Sequence, residues 1–254
     1  MNNILGTIGF IALVYLAVGV MLYLSQRNFI YFPTGSVDHD YEALTVENQG
    51  ERLNIIRLNA GNRRAVLYFG GNAESVAFSG EEFQRALPEH TVYLVNYRGY
   101  GGSSGKPTEA VLYADALTLY DRFSSGHDTL AVMGRSLGSG VASYLAAQRE
   151  VDKLVLITPF DSILGVAQSR FPIYPLSLLL KDTFDSASRA ADIVADVLIV
   201  VAEHDDVIAR VHSDRLIDAF AAKPAQVEML SNTGHNDISL HASYYPLIAA
   251  FLQP

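Results

Sequence analysis

The sequence predicts an α/β protein with a doubly wound, mostly parallel sheet, a short lid-like insertion and one N-terminal transmembrane helix. Three observations support this prediction. Short, nearly continuous apolar runs alternate with helix-like segments along most of the chain, as expected for strands that are covered on both faces. A long uncharged segment lies near the start of the chain, and one segment between two strand-like runs breaks the alternation.

The uncharged segment runs from Ile4 to Leu24. A helix of that length, at ~1.5 Å per residue, is about as long as the ~30 Å hydrocarbon core of a bilayer. A cleaved signal peptide is one alternative, but no basic side chain precedes the segment and bulky residues follow it. A buried helix of a soluble protein is the other, and it is disfavoured because the segment is apolar on all sides. We therefore expect residues 1–27 to form a single-pass membrane anchor. The one nearby base, Arg27, does not assign the side of the membrane.

Residues 28–254 are expected to form one domain, since their length is ordinary for a single α/β unit. Its predicted strands are 53–58, 65–69, 91–95, 129–133, 153–157, 197–201 and 227–230. Its predicted helices are 81–87, 108–123, 140–148, 212–221 and 243–252.

The segment that breaks the alternation, residues 160–189, contains two prolines and many apolar residues. An apolar insertion on the strand-end face is expected to form a lid or a wall of the substrate pocket. Leu178 and Leu179 are the residues expected to contact an acyl chain there. Packing of the insertion against the bilayer or against a helix beside the sheet is the alternative.

Composition excludes several functions. The chain has no cysteine, so disulfides, Cys-ligated metal sites and thiol nucleophiles are impossible. Its net charge is −9 and no basic run is longer than Arg63 and Arg64, so no nucleic-acid partner is expected. No cofactor or metal is expected. The glycine-rich segment 96–105 lacks both the Lys-Ser/Thr ending of a phosphate loop and the spacing of a dinucleotide-binding loop.

Ser136 is the candidate nucleophile. Gly134 lies two residues before it and Gly138 two residues after it. The serine stands between a predicted strand and a helix-like segment. This pattern is typical of a nucleophile elbow, in which small neighbours permit a tight strand-to-helix turn. The helix N-terminus behind the serine would favour a developing oxyanion.

A serine nucleophile needs a base, which is oriented in turn by an acid. Among the seven histidines, His235 lies in a turn directly after the last predicted strand and is the candidate base. His212 falls on a helical pattern, which favours a solvated or capping role. The acids Glu203, Asp205 and Asp206 all follow the strand at 197–201, and the residues alone leave the choice among them open.

Two backbone N–H groups are candidates for an oxyanion hole. One belongs to Leu137, the residue after the nucleophile. The other belongs to Asn72, in a Gly-Gly-Asn loop that follows the predicted strand at 65–69. A plain turn is the alternative for this second loop.

Together these motifs resemble the membrane-anchored α/β-hydrolase-domain serine hydrolases, relatives of the prolyl-oligopeptidase-like hydrolases and of protein depalmitoylases. The resemblance covers nearly the whole chain, with matching motifs at 31–33, 68–73, 96–101, 134–138, 158–162 and 234–236. It implies the α/β-hydrolase fold and assigns the acid to Asp205, because the family's G-x-x-D pattern falls there. The chain departs from the family by having Ala202 for Gly in that pattern and Gly70 for a usual His in the oxyanion loop.

The resemblance and the elbow imply a serine hydrolase that cleaves an acyl ester or thioester through a Ser-Asp-His triad and an acyl-enzyme. The anchor and the apolar insertion favour a small-molecule or lipid-like acyl substrate. A peptidase or amidase of the same fold and a non-catalytic binding protein are the alternatives. The presence of all three triad residues disfavours the binding protein.

Overall fold

The computed structural model of the protein describes residues 2–253, with side chains from Ile4 onward. Within that range eight strands form a single sheet. In chain order they are β1 Glu42–Asn48, β2 Glu51–Leu58, β3 Arg64–Phe69, β4 His90–Val95, β5 Thr129–Arg135, β6 Lys153–Ile157, β7 Asp196–Ala202 and β8 Gln226–Leu230.

The order of the strands across the sheet is β1-β2-β4-β3-β5-β6-β7-β8. β1 pairs antiparallel with β2, and β2 antiparallel with β4, whereas every pairing from β4 to β8 is parallel. The carboxyl ends of β3, β5, β6, β7 and β8 therefore meet at one edge, where open α/β sheets bind their ligands. The predicted doubly wound, mostly parallel fold is confirmed.

Helices cover both faces of the sheet, which is why its central strands are almost wholly apolar. They are α1 Asn2–Ile30, α2 Gly80–Ala86, α3 Glu109–Ser124, α4 Leu137–Gln148, α5 Ile163–Arg170, α6 Leu176–Leu179, α7 Arg210–Ala219 and α8 Tyr244–Leu252. One core contains buried residues of α3, α4 and α7, and the other contains those of α2 and α8. Three short 3₁₀ segments also occur, at Val76–Ser79, Ala187–Asp192 and Ile238–Leu240.

β1, the edge strand, was not predicted from the sequence. Its residues are exposed or half-buried, so it lacks the continuous apolar run that marks the other strands. It joins β2 through a two-residue turn, Gln49 and Gly50, and both residues have positive φ, at 51° and 79°. Such turns match the twist of a hairpin, so the Gln-Gly pair was the signal that could have located this strand.

The predicted insertion, residues 160–189, contains the two short helices α5 and α6. α6 begins directly after Pro175, a position where proline's missing N–H costs no helical hydrogen bond. α1 is longer than the uncharged segment, and its part Ile4–Ile30 is long and apolar enough to cross a membrane. Near its C-terminal end, α1 lies against the insertion through hydrogen bonds from Gln26 and Arg27.

Candidate active site

The candidate nucleophile lies on a sharp turn between β5 and α4. Ser136 has φ 49° and ψ −115°, a conformation that is strained for a residue with a side chain. A Cβ atom on Gly134 would lie 2.2 Å from the carbonyl oxygen of Gly138. A Cβ atom on Gly138 would lie 2.0 Å from the carbonyl oxygen of Phe69. Only glycine fits at either flank, so this sequence pattern builds the turn that exposes the serine hydroxyl.

The structure brings Ser136, His235 and Asp205 together at the carboxyl edge of the sheet. His235 Nε2 lies 2.9 Å from Ser136 Oγ, and His235 Nδ1 lies 2.8 Å from Asp205 Oδ2. The other carboxylate oxygen, Asp205 Oδ1, accepts hydrogen bonds from the backbone N–H groups of Val207 and Ile208. These bonds fix the carboxylate, and both the imidazole and the carboxylate are buried.

The other two candidate acids lie elsewhere. Glu203 accepts a hydrogen bond of 2.8 Å from the backbone N–H of Asn232, and Asp206 is exposed to solvent. Asp205 is thus the acid that contacts the imidazole of His235.

This arrangement defines which way protons can move. An ionised carboxylate only accepts hydrogen bonds, so an ionised Asp205 would accept from His235 Nδ1–H and would leave Nε2 free to accept the proton of Ser136 Oγ. Ser136, His235 and Asp205 thus have the contacts that a nucleophile, a base and an orienting acid would need. Among residues 4–253, no group of three or more His, Asp or Glu side chains is arranged to hold a metal ion.

The two candidate oxyanion donors lie beside the nucleophile, and both residues line the same cavity as Ser136. Leu137 is the first residue of α4, so its N–H has no acceptor within the helix. The side-chain oxygen of Asn72 accepts from the backbone N–H of Phe32 at 2.9 Å and from the Tyr100 hydroxyl at 2.8 Å. Those bonds anchor the side chain, while the backbone N–H of Asn72 has no acceptor among the described residues.

A buried ion pair, which the sequence analysis missed, links the loops of the site. Arg135 lies 3.3 Å from Glu74, whose carboxylate also accepts the backbone N–H of Gly71 at 2.7 Å. Arg135 also donates to the backbone carbonyl of His235 at 3.1 Å. Burial works to lower the pKa of Arg135, but the Glu74 carboxylate, together with Tyr68 and Tyr244, holds that pKa above its ordinary value. The pair thus joins the oxyanion loop, the elbow and the histidine loop.

A second Asp-His-Ser arrangement joins the insertion to α7. His212 Nδ1 is 2.9 Å from Asp161 Oδ1, and His212 Nε2 is 3.1 Å from Ser169 Oγ. His212 is only 1% exposed, so the expectation that it is solvated or caps a helix is wrong. Ser169 lies inside α5, where backbone N–H groups are used by the helix, and its hydroxyl also bonds the carbonyl of Gly165. The contacts of this cluster are those of a structural link between α5 and α7.

A cavity of about 260 Å³ extends from the nucleophile between the insertion and α1. Its lining is mostly apolar and comes from four parts of the chain. The site contributes Asn72, Ser136 and Leu137, and the loop after β7 contributes Val207 and Ile208. The insertion contributes Phe160, Ile163, Ala167, Phe171, Tyr174, Leu176, Leu179 and Leu180, and α1 contributes Gly19, Leu22, Tyr23, Gln26, Phe29 and Ile30. Leu179 is part of this wall as expected, whereas Leu178 is 82% exposed, so its expected place in the wall is wrong.

Comparisons with known proteins agree with this architecture. Residues 64–178 match the family model of the alpha/beta hydrolase fold. The chain is 36% identical to an uncharacterized protein of Mycobacterium tuberculosis, over 93% of this chain and 89% of that protein. It is 28% identical to the human alpha/beta hydrolase domain-containing protein 17B, over 91% of this chain and 81% of that protein.

Solved structures with low sequence identity share the fold. An esterase of Pyrococcus furiosus, Pf2001, superposes with a TM-score of 0.67 at 16% identity, over 88% of this chain and 98% of the esterase. A monoacylglycerol lipase of Paleococcus ferrophilus superposes with a TM-score of 0.60 at 17% identity, over 79% of this chain and 98% of the lipase. At such identities the likeness is one of fold.

Proposed function

Since the chain belongs to the α/β-hydrolase family, we propose that it is a serine hydrolase that cleaves a carboxylic ester or thioester by way of an acyl-enzyme. The observation that carries the proposal is the continuous chain of contacts from Ser136 through His235 to Asp205, at 2.9 and 2.8 Å. A hydrolase-fold protein that only bound a ligand would have no need of such a chain. The strained backbone of Ser136 supports the same role, since strain of this kind clusters at functional sites.

In the proposed reaction, Ser136 Oγ attacks the carbonyl carbon of the substrate while its proton passes to His235 Nε2. The carbonyl oxygen becomes an oxyanion that accepts hydrogen bonds from the backbone N–H groups of Leu137 and Asn72. When the tetrahedral intermediate collapses, the bond to the alcohol or thiol breaks and His235 donates its proton to the leaving group. Water then attacks the acyl-enzyme by the same steps and releases the acid and the free serine.

The cavity favours an acyl chain as the part of the substrate that is held. Its lining is mostly aliphatic and aromatic, so it suits a hydrocarbon chain and leaves the polar groups of a peptide backbone without partners. The names of two structurally similar proteins, an esterase and a monoacylglycerol lipase, are in keeping with this choice. An amide or peptide substrate is therefore the second candidate, to be compared directly in the assay.

We further propose that residues 1–27 anchor the protein in a membrane and that residues 28–254 form the hydrolase domain. The length, hydropathy and exposure of the helix Ile4–Ile30 support this division. An apolar helix exposed to water would be costly, whereas the hydrocarbon of a bilayer would cover it.

The proposed activity can be tested with the full chain in detergent micelles and a series of p-nitrophenyl esters of increasing acyl length, with p-nitroanilides of the same acids as the amide series. We expect ester cleavage, with kcat/KM rising about fourfold for each methylene that the cavity takes up, from about 0.8 kcal/mol per buried methylene. Ser136→Ala is the control, and we expect it to lose this activity. Failure to cleave any ester, or equal rates for the variant, would contradict the proposal. Faster cleavage of the anilides would favour an amidase.

A further inference from the structure

The insertion contacts α1 deep within its uncharged segment. The ring of Tyr174 stacks on that of Tyr15, with centroids 4.6 Å apart and planes 9° apart. The Tyr15 hydroxyl donates to the carbonyl of Ile173 at 2.8 Å, and the Tyr174 hydroxyl donates to the carbonyl of Tyr15 at 3.2 Å. Gly19 faces the same ring, since a Cβ atom there would lie 3.2 Å from it. The insertion and the helix are therefore packed as one unit along the apolar segment.

The position of this contact along α1 indicates how deep in a bilayer the insertion would lie. Tyr15 precedes Leu24, the end of the uncharged segment, by nine residues, or about 14 Å of helix at ~1.5 Å per residue. If the segment crosses a hydrocarbon core of ~30 Å, the part of the insertion beside Tyr15 lies well inside that core. Residues 171–180, which we call the membrane loop, contain no charged residue, and Arg170 and Lys181 flank them.

Several backbone polar groups of the membrane loop have partners within the protein, as a hydrocarbon environment requires. The side chain of Gln168 donates to the carbonyls of Phe171 and Tyr174 and accepts from the N–H of Leu176. The side chain of Gln26 donates to the carbonyl of Leu179.

Gln26 also accepts from the N–H of Lys181, at 2.6 Å. Charged side chains first occur at this end of the membrane loop. Arg27 pairs with Asp182 at 2.9 Å, and the Lys181 ammonium lies over the Tyr23 ring. Charged and aromatic side chains of this kind are typical of a membrane interface. By contrast, Ile173 and Leu178 of the loop are 70% and 82% exposed.

We propose that the active-site cavity opens sideways into the hydrocarbon of the bilayer between α1 and the membrane loop, and that the substrate is an acyl ester or thioester carried by a membrane lipid. The cavity runs from Ser136 to Gly19 and Leu22, which lie within the uncharged segment of α1. An acyl chain can therefore pass from the bilayer to the nucleophile without crossing water. This inference rests on the proposed function and the proposed anchor, and it gives the helix a second role as a wall of the substrate site.

The depth of the membrane loop can be measured without any enzymatic activity. The chain contains no tryptophan, so Ile173→Trp introduces a single fluorescent reporter. The matched control is Val194→Trp, also at an exposed apolar position but beside the start of β7, at the opposite edge of the sheet. Each full-length variant is reconstituted into phosphatidylcholine vesicles with and without bromine atoms on the acyl chains.

We expect brominated lipid to quench at least half of the fluorescence of Ile173→Trp, with emission shifted to shorter wavelength, and to leave Val194→Trp unquenched. Absence of quenching at position 173, or equal quenching at both positions, would overturn the proposal. Because this readout needs no substrate, it remains informative if the proposed hydrolase activity fails.

The route of the acyl chain is tested by a second pair of variants on α1. Leu22 lines the cavity, whereas Leu24 is 75% exposed and does not line it. We expect Leu22→Trp to lower kcat/KM for p-nitrophenyl laurate at least tenfold while leaving the acetate within twofold of the wild type, because the larger ring fills the chain's path. Leu24→Trp should change neither. Equal effects of the two variants, or an equal loss on both esters, would overturn the proposed route.

Discussion

Arg135, the residue before the candidate nucleophile Ser136, donates a hydrogen bond of 3.1 Å to the backbone carbonyl of His235. Its guanidinium also pairs with Glu74, which accepts the N–H of Gly71 and the hydroxyl of Tyr68. Burial raises the pKa of Tyr68, so this hydroxyl stays protonated and remains a donor. One ion pair thus contacts both the loop of Gly71 and the loop of the candidate base, and we propose that it positions them without taking part in bond breaking.

Replacement of Glu74 tests this positioning role. We expect Glu74→Gln to lower kcat about tenfold with little change in KM, because a charged hydrogen bond worth about 1.5 kcal/mol is removed from the groups that hold the oxyanion loop. Glu81→Gln, at a solvent-facing position of α2, should leave both constants unchanged. A rise in KM at constant kcat would instead assign Glu74 to substrate binding.

The role of the acid is tested by two neighbouring aspartates. Asp205 contacts His235, whereas Asp206 is exposed. We expect Asp205→Asn to reduce kcat by a factor on the order of 10⁴, because the amide favours the wrong tautomer of the imidazole. Asp206→Asn should keep most of the activity. Kinetics of purified variants with a p-nitrophenyl ester measure the difference, and the reverse ranking would show that Asp206 is the acid.

The glycine that follows the nucleophile by two residues has a steric role that can be measured. A Cβ atom on Gly138 would lie 2.0 Å from the carbonyl oxygen of Phe69, which belongs to the backbone and cannot rotate away. We expect Gly138→Ala to lower the melting temperature by several degrees and to abolish ester cleavage, since the elbow and the oxyanion loop must separate. Gly126→Ala, whose Cβ would make an ordinary contact at 3.6 Å, should be tolerated. Normal melting and activity for Gly138→Ala would refute the packing argument.

Two adjacent leucines of the insertion have different surroundings, since one lies in the cavity wall and the other on the outer surface. Leu179 lines the cavity, and Leu178 faces outward. We expect Leu179→Ala to raise KM for long-chain esters by about fourfold for each substrate methylene that the shortened side chain no longer covers, and to spare the acetate. Leu178→Ala should leave the kinetics of every ester unchanged in detergent. Equal losses on short and long esters for Leu179→Ala would show that this side chain supports the scaffold rather than the acyl site.

The parts of the molecule that the sequence predicted are those governed by local patterns. The buried strands were found because a strand covered on both faces is apolar throughout, as in β6 and β7. Ser136 could be chosen because it lies in a short turn after such a strand, and His235 because its turn follows the last predicted strand, β8. The choice of Asp205 over its neighbours needed the family resemblance, because three acids in one turn are locally equivalent.

The features that the sequence did not predict depend on contacts between distant segments. Glu74 and Arg135 are 61 residues apart, and only the folded loops bring them together. The contact of Tyr15 with Tyr174 likewise joins the start of the chain to the insertion. The hydropathy of α1 and of the insertion indicated that each segment needs an apolar neighbour. It did not indicate that the two segments pack against each other.

The most direct test of the proposed serine hydrolase is active-site labelling of the full chain with a fluorophosphonate, which reacts with a serine activated by a neighbouring base. The wild type should be labelled on Ser136, as located by peptide mass spectrometry, and Ser136→Ala should not be labelled at all. Ser169→Ala, which removes the hydroxyl of the second Asp-His-Ser arrangement, should be labelled like the wild type. Undiminished labelling of Ser136→Ala, or modification of Ser169 in the wild type, would contradict the account.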